Sequence, residues 1–281
     1  MKSKFLILIL VVFFGVTGKQ CNKEENINHV NFSIQKTKDT TFYGLISTVD
    51  CPIEIEVKRK SEEYPQIQIK PFSLVKAKDS VQKVLRIPNT LLKEISEDEI
   101  LAKNISVKFY YGDSKTAIHD KGYLYSLPFQ KGKSFKISQG FFGRKSHNTI
   151  ASKYAIDFDM PKGSKVYAAR EGKVVYVINK YKKSGGKELT YKANKIVIYH
   201  EDGTFASYAH LKYKGALVKK GDLVKRGQLI GYSGNTGNSS GPHLHFVVRL
   251  PRDISVPIYF EGYENRIFKK KDLIKNEKMK K

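Results

Sequence analysis

Tryptophan is absent from this 281-residue chain, and cysteine and methionine are scarce, at two and three copies. The missing tryptophan excludes no function. Two cysteines, Cys21 and Cys51, are too few for a disulfide scaffold, and both lie outside the histidine-rich stretch from 147 to 245, which argues against a thiolate zinc site there. No His-Glu-x-x-His stretch occurs, which argues against a metalloprotease centre built on one helix. The longest apolar run, Phe5–Val16, has twelve residues, too few for an ordinary membrane span. Acidic residues are also in short supply: 27 Asp and Glu against 51 Lys and Arg leave a formal net charge of +24. Such a balance suits polyanionic surroundings such as nucleic acid, anionic lipid or an anionic cell envelope. No nucleic-acid motif accompanies it.

The short apolar run is itself informative. Lys2 and Lys4 precede it, and Val16-Thr17-Gly18 closes it, the layout of a secretory signal peptide over residues 1–18. Cys21 follows, either as a lipid-anchoring site (with Lys19 and Gln20 poor residues before it) or as a disulfide partner of Cys51 in an oxidising compartment. Export to the periplasm, cell envelope or extracellular space is the expected destination.

Residues 19–40 are polar and read as a linker. From 41 to 126, short alternating segments such as Phe42–Val49, Ile53–Lys58, Val84–Ile87 and Ile105–Tyr111 point to a small β-rich, sandwich-like accessory domain. Leu91–Ile100 has helical spacing. From 127 to 252 the texture changes to short strands divided by glycine-rich turns, a compact antiparallel β domain. Within it, Tyr181–Glu188 reads as a mobile, exposed insertion. Residues 253–281 read as a basic tail.

Five of the seven histidines, His147, His200, His210, His243 and His245, fall in that second domain. His243 and His245 stand two apart in a strand-like run, so both side chains leave the same face. Asp157 and Asp159 have the same spacing among apolar neighbours, and a buried carboxylate has to be paired, hydrogen-bonded or metal-bound. Catalytic zinc takes three His, Asp or Glu ligands and leaves a position open. The remaining histidines are the natural supply of an acid–base group.

The stretches Ala155–Gly163, Val166–Val175, Ile196–Gly203, Tyr208–Leu211, Gly221–Gly231 and Gly234–Phe246 resemble, in order, the lysostaphin-type (LytM) zinc endopeptidases. The resemblance covers roughly 140–250 and implies a Zn2+ metalloendopeptidase that hydrolyses peptide bonds of peptidoglycan. It makes Asp157 and His245 zinc ligands, and His210 and His243 the pair that activates water and stabilises the oxyanion. Tyr208 and His200 belong to the pattern with structural roles. One position departs from it. Four residues before the aspartate, where the family has its first zinc histidine, stands Lys153, which has no lone pair at neutral pH. His147, ten residues before Asp157, is the expected replacement. Without it the domain would be a degenerate relative that binds wall or activates another hydrolase. The expected partners are cell-wall peptide and the anionic envelope surface, with no nucleic acid and no specific protein.

Overall fold

The computed structural model describes residues 30–277. The signal-peptide stretch and Cys21 lie outside the described residues, while Cys51 is buried. The chain divides into two compact units between Asp113 and Ser114. Among the described residues, no helix is long and apolar enough to cross a membrane.

In the first unit, one sheet places the strands in the order Val30–Lys36, Thr40–Ser47, Ser80–Pro88, Gln68–Ile69. A second runs Phe72–Val75, Ile53–Arg59, Ile105–Tyr111. Tyr43, Leu45, Val57, Val84, Leu101 and Val107, drawn from both sheets and a helix, line one apolar interior. This is the layout of a small sandwich. Part of the expected linker is strand. Val30, Phe32 and Ile34 alternate with polar residues, and the segment pairs along its whole length with Thr40–Ser47. The expected single helix is two, Asn89–Glu94 and Glu97–Asn104. Ser96 breaks it because its hydroxyl accepts from the Glu99 backbone N–H and caps the second helix.

The second unit is built on a nine-stranded sheet. Its main path runs Leu223–Val224, Gly172–Ile178, Lys195–Tyr199, Phe205–Ala209, Leu244–Leu250, Ile156–Phe158, Ser134–Gln139, Leu273–Lys275, with every pairing antiparallel. A three-stranded sheet of Lys165–Tyr167, Leu229–Ser233 and Leu211–Ala216 accompanies it. The protein is thus mostly β and antiparallel, as its short alternating segments predict. Phe129, Phe158, Tyr208, Phe246 and Phe260 fill the core, and Tyr125 joins them from the stretch assigned by sequence to the accessory domain.

The expected basic tail is also largely folded. Phe260, Phe268 and Ile274 are buried, and Leu273–Lys275 adds a strand beside Ser134–Gln139. The lysines around these three apolar residues mask a core-building segment. Nor does the Tyr181–Glu188 insertion hang free. Ser184–Gly185 forms a parallel pair with Gly237–Asn238, so backbone bonds tie it to the loop that leads into the histidine strand.

Candidate metal centre

Strand register assembles the site. Asp157 lies opposite His245 on one side and opposite Gln139 on the other. Ala209 also lies opposite His245, which brings His210 to the same end of the sheet. Directly opposed residues of antiparallel strands present their side chains to one face. His243 sits just before its strand, bridged to Gly234. His147 arrives on the irregular segment between Gln139 and Ile156.

Asp157 is the hub. Its Oδ1 lies 2.8 Å from His245 Nδ1, 3.2 Å from His147 Nε2 and 3.9 Å from His243 Nε2. Its Oδ2 accepts from Gln139 Nε2 at 3.3 Å. The ligand atoms of His147, Asp157 and His245 all lie within 4.8 Å of one another. Two ligands about 2.0–2.1 Å from a tetrahedral ion stand about 3.3 Å apart, as His147 Nε2 and Asp157 Oδ1 do at 3.2 Å, while the 2.8 Å contact of His245 Nδ1 is a hydrogen bond.

The histidine tautomers follow from backbone partners. A carbonyl oxygen only accepts, so the ring nitrogen facing it carries the hydrogen. His147 Nδ1 donates to Gly140 O at 2.8 Å, His210 Nδ1 to Thr236 O at 2.6 Å, and His243 Nδ1 to Gly241 O at 2.9 Å. In the neutral ring each Nε2 therefore keeps its lone pair. His147 Nε2 is buried, and although close to Asp157 it lacks the alignment of a hydrogen bond and has no such partner. A buried nitrogen with a free lone pair beside a carboxylate and a second imidazole suits a metal ion of zinc's type. The residues present thus fit the zinc that the sequence pattern implies.

Asp157 and burial govern the electrostatics of the group. Burial would raise the Asp157 carboxyl, but the adjoining His147 and His245 rings hold it well below the usual carboxylate range. Burial would lower His147, and Asp157 outweighs it, so the ring is raised. His245 is lowered, by burial against the pull of Asp157. His210 is pushed down to about 3, first by burial and then by its neighbours His243 and His245. The His210 and His243 rings lie 4.5 Å apart.

The other singled-out residues fall elsewhere. Lys153 is not among the grouped ligands; its Nζ lies 5.2 Å over the Tyr154 ring. Asp159 is exposed, because the strand stops at Phe158 before the Pro161 turn and the shared face of Asp157 and Asp159 is lost. Tyr208 accepts from the Ala169 backbone N–H, and His200 Nδ1 donates to Glu171 O. Gln139 escaped notice in the sequence. It donates to Ser146 Oγ at 2.7 Å and accepts from the Lys145 backbone N–H at 2.9 Å, as well as holding Asp157. Its only signal is its place at the end of an alternating strand just before Gly140.

Residues 151–256 match the model of Peptidase family M23, a match that begins just past His147. Peptidoglycan DD-endopeptidase ShyA of Vibrio cholerae is 40% identical over 115 residues, covering 40% of this chain and 24% of its own length. Peptidoglycan DD-endopeptidase ShyB of the same organism is 34% identical over 160 residues, covering 52% of this chain and 35% of its own. The chain thus spans about a quarter to a third of these curated relatives. Among solved structures, the catalytic domain of lysostaphin from Staphylococcus simulans is 30% identical, with 52% of this chain and 94% of that chain covered and a TM-score of 0.32. Residues 151–256 thus form a Peptidase family M23 domain within the longer chain.

Proposed function

We propose that this protein is an exported zinc metalloendopeptidase that cleaves peptide bonds of peptidoglycan. The observation that carries the reading is that the His210 and His243 rings gather beside the group formed by His147, Asp157 and His245: His243 Nε2 lies 3.9 Å from Asp157 Oδ1, and the His210 ring centre lies 4.5 Å from that of His243 and 5.9 Å from that of His245. Those three residues would hold the ion. When bound, zinc supplies Lewis acidity to the scissile carbonyl and acidifies a water toward neutral pH. The Nε2 of His210 or His243 can take the proton of the attacking water. The ring that has taken it becomes a donor, first to the developing oxyanion and then to the departing amine nitrogen. Burial and its histidine neighbours keep His210 neutral. The family match and the names of the two Vibrio relatives support peptidoglycan as substrate. The leader-like N-terminus and the net charge of +24 support export to an anionic envelope.

The test uses the purified protein with added zinc on isolated peptidoglycan, with new termini identified by mass spectrometry. The wild type should release peptides. His147→Ala, Asp157→Ala and His245→Ala should lose both zinc and turnover. His210→Ala and His243→Ala should keep zinc and lose ~100-fold or more in rate. Zinc-loaded wild type that opens no peptide bond would sink the reading and leave a wall-binding relative in its place.

A further inference from the structure

His210 occupies a backbone conformation that non-glycine residues rarely adopt, with φ at 62°. A strained residue at a functional site persists only when its surroundings over-determine it. Two fully enclosed polar residues that the reaction itself does not use, Asn194 and Thr236, supply that constraint.

Their bonds close on the residue after the histidine. The Leu211 backbone N–H donates to Asn194 O at 3.0 Å. The Leu211 carbonyl accepts from Thr236 Oγ1 at 2.9 Å and from Asn194 Nδ2 at 3.3 Å. The Asn194 backbone N–H donates to Thr236 Oγ1 at 3.0 Å, locking the two together. Thr236 then presents its own carbonyl to His210 Nδ1 at 2.6 Å. One threonine thus fixes the backbone next to His210 through its hydroxyl and fixes the ring through its carbonyl. Asn194 also grips the insertion, accepting from Tyr181 N at 2.9 Å and donating to Tyr181 O at 2.8 Å.

We infer that Asn194 and Thr236 are positioning residues for His210, holding its ring as the Nδ1–H tautomer with Nε2 toward Asp157 and His243. The inference rests on the proposed hydrolytic role of His210. Ring partners of this kind change activity ~10–100-fold when removed, while a residue that only stabilises the fold would leave the rate of folded protein alone.

The experiment compares full-length Thr236→Val, which keeps the volume and the carbonyl but lacks Oγ1, with Thr236→Ser, which restores the hydroxyl. Zinc content and circular dichroism confirm that each is loaded and folded. The expected result is a ~10–100-fold fall in kcat at unchanged KM for Thr236→Val, with Thr236→Ser within about threefold of wild type. The 15N signals of the His210 ring should change with it, from one protonated and one bare nitrogen to an exchange average. Wild-type kcat in Thr236→Val, equal losses in both variants, or failure of Thr236→Val to fold would each overturn the inference, the last by assigning Thr236 to stability. If the wild type itself shows no turnover, the proposed function has failed. The His210 15N pattern then decides the inference alone: lost in Thr236→Val it stands, retained it falls.

Discussion

His200 is a neutral base sealed inside the sheet, with its Nδ1–H on Glu171 O at 2.6 Å and no hydrogen-bond partner for Nε2. Burial, with Arg170 adding to it, pushes its pKa down to about 4 from an ordinary 6.5. The unfolded chain therefore takes up a proton that the folded one refuses. Stability from this residue is fully present above pH 6.5 and is lost as the pH falls toward 4, amounting to roughly 3 kcal/mol across that window. Urea unfolding of wild type and His200→Gln at pH 7 and pH 4.5 should show a smaller pH dependence in the variant. Equal slopes would mean that the ring is solvated. Single residues were legible in the sequence where chemistry repeats at strand spacing, as at His243 and His245. Gln139 was not, because its part depends on pairing with Asp157 eighteen positions away, and local spacing carries no record of that register.

At the level of elements, period-two alternation located the strands well, and Ile105–Tyr111 coincides with its expected bounds. Alternation in residues 30–36 was hidden among polar neighbours, and the charge around Phe268 and Ile274 hid a segment that packs inward. The His147 segment shows a further limit. Its geometry depends on Gly140, whose carbonyl holds the His147 ring while its α-carbon packs against the Phe268 backbone. A Cβ at Gly140 would collide with the Phe268 carbonyl oxygen, so backbone has to move. Gly140→Ala should therefore lower the melting temperature and weaken zinc binding together, measured by calorimetry and by competition with a chelator. Gly163→Ala, at a turn with open space around its α-carbon but a left-handed φ of 87°, should cost stability alone. A Gly140→Ala protein with unaltered zinc affinity would break the link between the two features.

For the whole molecule, the boundary between Asp113 and Ser114 and the end of the family match at Val256 make opposite demands. The core of the second unit draws only on residues from Tyr125 onward, with Tyr123 packed against it. A fragment 114–281 therefore keeps every buried partner in that cluster and every residue of the metal group. A fragment 114–256 loses Ile258, Phe260, Phe268 and Ile274 from the same cluster. Truncating a single buried phenylalanine costs about 3–5 kcal/mol, and a domain has only about 5–15 kcal/mol to lose. Deleting two phenylalanines and two isoleucines therefore exceeds what the remaining core can absorb. The shorter fragment also unpairs the Ser134–Gln139 edge that carries Gln139, so the loss should reach Asp157. Fragment 114–281 should unfold in one cooperative transition and bind one zinc, and fragment 114–256 should do neither, as read by calorimetry and metal analysis. Zinc-loaded, cooperatively folding 114–256 would instead make residues 257–281 an appendage to a domain complete without them.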